Sequence, residues 1–496
     1  MAKKGFKERG CGVLMHISSL PGPFGIGTLG ESAYKFVDFL NKAGQAYWQI
    51  LPVGPTSYGD SPYQSFSTFA GNPYFIDFAL LEKDGLLSKS DYEEIDWGSP
   101  ETKVDFGVIY VKRHQIFEII QKNFEKKTPA DYKDFCKENA FWLEDYALFM
   151  AVKDAHNGCA FIEWEDDIRT RKPTAVKEWT KKCQSRMEYY KILQYLFFKQ
   201  WKELRAYAGK KDIKIIGDIP IYVAADSADV WTNPKNFMLD EKCIPLEVAG
   251  CPPDAFTELG QLWGNPVYNW KNLKKNHYDW WIQRIKASLN IYDIVRIDHF
   301  RGFESFYSIK YGAPDAKNGK WVKGPGAELF NEAKKQLGDL PIIAEDLGYI
   351  TDEVREMLKE CGFPGMRVLQ FAFDGSDNGY IPEQNPVNSI CYTGSHDNET
   401  LNGWVENVDP SQLKIAMEYL KVTEKSQVRE AMMKAALGSP AFVTILTMQD
   451  LIGLGADARM NSPSTVGENW RWRATSEQIT DKIAVWLYEE TKKALR

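Results

Sequence analysis

The sequence lacks long hydrophobic runs and long runs of one charge. No stretch in the 496 residues approaches the roughly 18 apolar residues of a membrane-spanning helix, so we expect no membrane span. The 61 basic and 68 acidic side chains are mixed along the chain and give a net charge of −7. Because duplex binding needs a basic face that neutralises phosphates, we also expect no nucleic-acid partner.

Paired cysteines and metal-ligand motifs are missing as well. None of the eight cysteines is spaced C-x-x-C, and no histidine accompanies them at zinc-ligand spacing. The N-terminal segment MAKKGFKERGCG is charged and lacks the apolar core of a signal peptide. We therefore predict no bound metal, mostly reduced thiols and a cytoplasmic location.

Eight short apolar segments have the pattern of buried parallel strands. They lie at 12–20, 47–53, 213–223, 294–300, 341–348, 366–373, 389–398 and 441–453. Helical patterns separate several of them, such as the apolar stripe of Ala33, Phe36, Val37 and Leu40. Strands alternating with helices indicate a parallel α/β fold, and eight such units favour a closed (β/α)₈ TIM barrel over an open sheet.

The segment spacing predicts one catalytic barrel over residues 1–496, with no separate C-terminal β-domain. Two connections are too long for simple loops: about 54–185 after the second strand and about 224–276 after the third. We expect both to be large insertions on the C-terminal, loop-bearing face of the barrel. No internal repeat or Pro/Gly/Ser-rich linker divides the chain.

One glycine-rich segment matches the sequence pattern of a dinucleotide-binding motif but lies in a different structural context. Gly25, Gly27 and Gly30 spell G-x-G-x-x-G, yet the predicted strand ends near Ser19, well before them. The second strand also ends at Val53-Gly54, without the acidic residue that binds a ribose. We interpret the segment as a loop that approaches the barrel mouth closely.

Three of the predicted strands end in an acidic residue. Asp298 ends the fourth, Glu345 the fifth and Asp397 the seventh. Any one of them could simply cap the following helix. Because the C-terminal ends of barrel strands converge on one mouth, where active sites lie, three acids together favour a catalytic cluster.

The residues around two of these acids suggest different protonation states. Arg296 faces the same way as Asp298 along a strand, so we expect it to lower the pKa of Asp298; a purely structural Arg–Asp pair is the alternative. Glu345 follows three apolar residues, and desolvation there would raise its pKa. Cleavage of a glycosidic bond needs one ionised and one protonated carboxyl group, which assigns Asp298 as nucleophile and Glu345 as acid.

The segments VRIDHFRG (295–302), AEDLG (344–348) and SHDN (395–398) resemble the three catalytic segments of the α-amylase-like clan. The finer resemblance is to its 4-α-glucanotransferases, called amylomaltases or disproportionating enzymes, and it covers almost the whole chain. The segments that carry it lie at 12–30, 50–77, 217–231, 252–270, 459–465 and 468–473.

This resemblance implies a retaining double displacement that uses no metal and no organic cofactor. Asp298 would form the glycosyl-enzyme, Glu345 would act as general acid and base, and Asp397 would stabilise the transition state. The implied substrate contacts are Tyr63, Asp218, Phe256, Glu258, Gln261, Trp263, Arg296, His299, His396 and Asn461. Without the family, a structural role for either histidine remains an alternative.

Two further features follow from the resemblance. Residues 250–266 would form a loop over the cleft, and Tyr58 would belong to a second, remote glucan site. Ala255 stands where some members carry an aromatic residue, and Ser464 stands where many have glycine after the proline. These departures bear on acceptor contacts and on long or cyclic products rather than on the chemistry.

The predicted function is the transfer of α-1,4-glucan segments between maltooligosaccharides, amylose or starch, with another glucan or glucose as acceptor. A hydrolase of the same clan is the first alternative, because it uses the same three acids. A non-catalytic glucan-binding barrel is the second, and the intact set of acids argues against it.

Overall fold

The computed structural model describes residues 9–98, 100–253 and 257–496, apart from the side chain of Tyr58. Its strands, in chain order, are β1 (Gly10–Leu14), β2 (Tyr47–Gln49), β3 (Lys214–Pro220), β4 (Glu247–Cys251), β5 (Gln261–Pro266), β6 (Ile294–Asp298), β7 (Ser305–Lys310), β8 (Lys320–Lys323), β9 (Ile342–Ala344), β10 (Gly365–Val368), β11 (Ser389–Tyr392) and β12 (Val443–Thr447).

The α-helices alternate with these strands. They are α1 (Glu31–Lys42), α2 (Phe78–Lys83), α3 (Phe106–Lys126), α4 (Tyr132–Glu138), α5 (Ala140–Ala155), α6 (Asp166–Arg169), α7 (Pro173–Lys182), α8 (Gln184–Lys210), α9 (Ala228–Thr232), α10 (Trp270–Lys275), α11 (Asp279–Ile291), α12 (Glu328–Leu337), α13 (Asp352–Cys361), α14 (Leu401–Asn407), α15 (Pro410–Leu420), α16 (Lys425–Gly438), α17 (Met448–Ile452) and α18 (Asp481–Lys493). In the described ranges no helix combines the length and apolarity that crossing a membrane requires.

An eight-stranded parallel sheet forms the centre of the molecule. Its strand order is β10-β11-β12-β1-β2-β3-β6-β9, and each strand overlaps one of the eight predicted segments. The predicted stripe on α1 packs inward, with Ala33, Phe36, Val37 and Leu40 all buried. The (β/α)₈ prediction is therefore confirmed. The strands are shorter than the predicted segments because apolar residues continue past them into buried loops.

The sheet closes into a barrel between β9 and β10 through few bonds. The Ala344 amide donates to the Pro364 carbonyl over 2.9 Å. The buried Asp346 carboxylate accepts from the Met366 amide at 2.6 Å and from Arg367 Nη1 at 3.1 Å. A Cβ on Gly365 would lie 2.4 Å from that carboxylate, so only glycine allows this approach. One backbone bond and the bonds of the Asp346 side chain thus take the place of a strand ladder at the seam.

Long excursions leave the barrel at three places. Helices α2 to α7 lie between β2 and α8, and β4, β5, α9 and α10 lie between β3 and α11. The third excursion, β7 and β8 after β6, was not predicted. It joins the second in a four-stranded antiparallel sheet of order β5-β4-β7-β8, which we call the small sheet.

The glycine-rich segment before α1 packs against its own chain. A Cβ on Gly27 would lie 1.8 Å from the Ile17 carbonyl oxygen, and one on Gly30 would lie 1.9 Å from the Asp77 carboxylate. Both glycines are needed for close packing of the loop, which fits the structural interpretation of the motif.

The seam gives a test of stability. Replacing Asp346 by alanine leaves the buried Met366 amide without its acceptor, so we expect the free energy of unfolding to fall by about 1–3 kcal/mol. Asp352→Ala, which removes an exposed carboxylate paired with Arg355, should cost no more than about 1 kcal/mol. Urea unfolding followed by tryptophan fluorescence compares the two; equal losses would show that the seam does not depend on Asp346.

Candidate active site

The three strand-end acids lie at one opening of the barrel. Asp298 is the last residue of β6, Glu345 directly follows the neighbouring strand β9, and Asp397 lies on the loop after β11. One oxygen of Glu345 accepts from the amide of His299, the residue after Asp298, over 2.7 Å. The other accepts from the Leu347 amide at 2.7 Å. Two backbone donors therefore fix the Glu345 carboxyl group beside the end of β6.

A buried network lies below Asp298. The Arg296 guanidinium donates to Asp218 over 2.6 Å and to Asp298 over 2.9 Å. Asp218 is fully buried and also accepts from the Tyr63 hydroxyl at 2.9 Å. Asp218 and Arg296 are opposite each other in the register of β3 and β6, so the pairing follows from neighbouring strands. One cation is shared by two carboxylates.

This sharing changes the expected pKa of Asp298. Burial raises the pKa of Asp298, Arg296 lowers it, and the negative charge of Asp218 raises it further; the net shift is upward. Arg296 lowers the pKa as predicted, but burial outweighs this effect. A guanidinium that already serves Asp218 compensates only part of the desolvation of Asp298.

Glu345 keeps the higher pKa of the two acids. Burial and the neighbouring Asp298 charge raise its pKa, against smaller opposing effects of Arg296 and of the two backbone donors. Glu345 is 9% exposed, whereas the Asp298 side chain is 30% exposed and touches the cation directly. The predicted asymmetry between the two carboxyl groups is present, although both pKa values are raised.

The third acid is held by residues from another loop. Asn461 Nδ2 donates to the Asp397 carboxylate over 2.6 Å, and Arg459 Nη2 donates to the Asp397 carbonyl over 2.6 Å. His396 Nε2 lies 3.4 Å from the Asp397 carboxylate and 2.9 Å from the Tyr63 hydroxyl, with its ring stacked on Tyr63. Arg459 was missed in the sequence, where it directly precedes Met460 and Asn461.

An aromatic contact lies next to Glu345, at the residue whose amide bonds its carboxyl group. His299 has a left-handed backbone conformation, with φ of 53°. Its ring meets Trp263 edge-on at 4.9 Å, and Trp263 Nε1 donates to Gln261 Oε1 over 3.0 Å. Burial lowers the pKa of His299 to about 3, so the imidazole stays neutral. Its Nε2 is buried and has no hydrogen-bond partner among the described residues.

One predicted contact does not join this cluster, and the side chains of two other predicted residues lie outside the described part of the chain. Glu258 is exposed on the segment that leads to β5. Phe256 lies outside the described residues, as does the side chain of Tyr58. Over the described ranges, no group of three or more His, Cys, Asp or Glu is placed to hold a metal ion.

Two carboxyl groups in unequal surroundings, at the mouth of a (β/α)₈ barrel, form the arrangement of enzymes that break glycosidic bonds. Residues 15–479 match the sequence profile of the 4-alpha-glucanotransferase family. The 4-alpha-glucanotransferase of Clostridium butyricum is 50% identical over 481 residues, covering 96% of this chain and 99% of that one. That of Streptococcus pneumoniae is 49% identical over 489 residues, covering 98% and 97%.

A solved structure agrees with these sequences. The amylomaltase of Streptococcus agalactiae, in complex with acarbose, is 45% identical to this chain; it matches 99% of this chain and 100% of its own with a TM-score of 0.96. This chain belongs to the 4-alpha-glucanotransferase family. The family prediction made from the sequence is confirmed.

Proposed function

We propose that this enzyme transfers segments of α-1,4-glucans by a retaining double displacement, with Asp298 as nucleophile, Glu345 as general acid and base, and Asp397 as the third carboxylate. The observation that carries the proposal is the pair of adjacent strand ends, β6 and β9. They bring one carboxyl group bonded to a cation beside a second, more buried group with a higher pKa. Nucleophile and acid need these two states.

In the first step, the Asp298 carboxylate attacks the anomeric carbon of the donor. The bond from that carbon to the departing glycosidic oxygen breaks, and Glu345 gives its proton to this oxygen. The product is a glycosyl ester of Asp298 and a shortened glucan with a free 4-hydroxyl. Arg296 keeps its bond to Asp218 throughout, so a compensated charge remains below the reacting carboxyl group.

In the second step, Glu345 takes the proton of an acceptor 4-hydroxyl. The acceptor oxygen attacks the anomeric carbon, the ester bond breaks and Asp298 leaves as a carboxylate. Two inversions retain the α configuration. Asp397, oriented by Asn461 and Arg459, faces the same opening and would stabilise the positive charge that develops on the sugar ring.

The remaining predicted residues supply binding surfaces in this proposal. Tyr63 and His396, stacked on each other and hydrogen-bonded, would support the sugar at the cleavage point. His299 Nε2, which is buried and has no partner among the described residues, would bind a sugar hydroxyl. Gln261 and Trp263 would contact the acceptor, together with Glu258, Phe256 and the loop 250–266. Tyr58 in a remote glucan site stays a prediction.

Donors in this proposal are maltooligosaccharides, amylose and starch, and acceptors are the same glucans or glucose. Transfer exceeds hydrolysis when the acceptor occupies the site and water is excluded, which is the role we assign to the loop 250–266. We place the enzyme in the cytoplasm, where the buried thiols of Cys11, Cys361 and Cys391 would stay reduced.

The shared guanidinium predicts a pH effect. A nucleophile acts only when ionised, so activity is lost as the pH falls through the pKa of Asp298. Asp218→Asn removes a charge that raises this pKa and leaves Arg296 to Asp298 alone. We expect the acid limb of kcat/KM to move to lower pH.

A matched control is Asp229→Asn. Asp229 is a buried carboxyl group whose pKa burial raises to about 6, and it accepts from the Thr68 amide. The same substitution there should leave the acid limb in place. A limb that stays unmoved in Asp218→Asn, or that moves to higher pH, would contradict the role of Asp298.

The products of one substrate separate transfer from hydrolysis. Incubation with maltotriose should give glucose and longer maltodextrins, with little gain in reducing ends, because each bond broken is replaced by another.

Glu345→Gln should lower the rate by about 10²–10⁴, whereas Glu360→Gln, at an exposed site on α13, should not change it. A steady rise in reducing ends would remove the transferase proposal, and full turnover by Glu345→Gln would refute the acid assignment.

A further inference from the structure

Arg301 connects the loop after Glu345 to the small sheet. It lies three residues after Asp298 in a short 3-10 helix, Phe300–Phe303, and is 5% exposed. Its Nη1 donates to the Tyr349 carbonyl over 2.7 Å, and its Nη2 donates to the Ser305 hydroxyl over 3.1 Å. The guanidinium also stacks over the Trp321 indole, with 3.9 Å from Cζ to the ring centroid. One buried cation therefore anchors the Trp321 ring on β8 and the backbone of Tyr349 on the loop after β9.

Both aromatic residues are exposed, although the residues around Trp321 are packed and hydrogen-bonded. Tyr349 is 76% exposed and Trp321 is 41% exposed. Trp321 is paired across strands with Tyr307, whose ring contacts it at 5.2 Å. Ser305 is held in turn by Glu304, which pairs with Lys323. Single exposed aromatics are ordinary on protein surfaces, but here the Trp321 ring and the backbone of Tyr349 are anchored to the same buried guanidinium.

The chemistry of this surface fits a sugar chain. Tyr and Trp offer large, rigid faces at low cost in conformational entropy, with a polar group at the edge. A glucan presents flat apolar ring faces bordered by hydroxyls. Neither ring is needed to complete the hydrophobic core, since a large part of each faces solvent.

The position of the pair indicates the acceptor side of the cleft. Tyr349 follows the proposed acid Glu345 by four residues on the same loop, and Arg301 follows the proposed nucleophile on the neighbouring one. The acid must border the oxygen that leaves, and therefore also the glucan that leaves and the acceptor that replaces it. Tyr63, His396 and Asn461 stand instead around Asp397.

We propose that Trp321 and Tyr349, held by Arg301, form an outer acceptor subsite that binds a distant glucose ring of long α-1,4-glucan acceptors. The subsite rests on the proposed glucan transfer and adds chain-length selection to it. Glucose is too short to span the catalytic centre and this surface together. Longer acceptors can reach both.

The test compares acceptors in competition. A fixed donor is offered with isotopically labelled glucose and labelled maltotetraose, and mass spectrometry gives the ratio of kcat/KM values for the two acceptors. Tyr349→Ala keeps the carbonyl that Arg301 bonds, so the loop retains its anchor. We expect the maltotetraose-to-glucose ratio to fall about five- to tenfold, the effect of truncating one well-placed aromatic contact. Adding Trp321→Leu should lower it further.

The control is Tyr311→Ala. Tyr311 directly follows β7 of the same small sheet and is 42% exposed, and its backbone amide donates to the Leu246 carbonyl. It should leave the ratio unchanged. An unchanged ratio in Tyr349→Ala and in the double variant would overturn the subsite, as would an equal fall in Tyr311→Ala.

A binding measurement separates this inference from the proposed function. In a Glu345→Gln background, calorimetry should show that Tyr349→Ala weakens maltoheptaose by a similar factor and maltose by much less. This holds whether the intact enzyme transfers or hydrolyses. Formation of reducing ends alone by the unaltered enzyme would contradict the transferase proposal, whereas equal loss for both sugars, or none, would contradict the subsite.

Discussion

The guanidinium of Arg296 is the group on which the site depends. It is buried between β3 and β6, where it bonds Asp218 and Asp298 at once. A buried charge is stable only when it is paired, so the cation, the two carboxylates and the Tyr63 hydroxyl form a set whose members need each other. Because one positive charge is divided between two negative ones, Asp298 is left incompletely compensated. Burial is the main cause of the raised pKa of Asp298, and the charge of Asp218 adds to it; burial and the neighbouring Asp298 charge raise the pKa of Glu345.

The barrel and its three acids could be predicted because their signals are local. A buried parallel strand is a short apolar run, and an acid at its end needs no tertiary information to be found. Asp298, Glu345 and Asp397 are such cases, and the pairing of Arg296 with Asp298 follows from the two-residue period of a strand. The apolar stripe on α1 could be predicted for the same reason, because it depends only on the period of the helix. Its residues are Ala33, Phe36, Val37 and Leu40.

Other features depend on contacts between distant segments and left no local signal. The net rise in the Asp298 pKa comes mainly from burial, and the charge of Asp218 adds to it through the register of two strands that are far apart in sequence. Neither effect shows in the local sequence. The small sheet pairs β4 with β7 across an intervening barrel strand, and neither β7 nor β8 was predicted. Arg459 contacts Asp397 only after two loops meet. Asp346 directly follows Glu345, and its bond to the next strand, which helps to close the barrel, depends on a residue 20 positions further along the chain.

The account's central claim is that Asp298 carries the sugar between the two steps. An α-maltosyl fluoride donor tests it directly in the Glu345→Gln variant, because fluoride leaves without a proton whereas the second step still lacks its base. The glycosyl-enzyme should then accumulate, and mass spectrometry of the digested protein should place one maltosyl group on Asp298. Absence of any adduct while fluoride is released, or an adduct on a different residue, would contradict the claim.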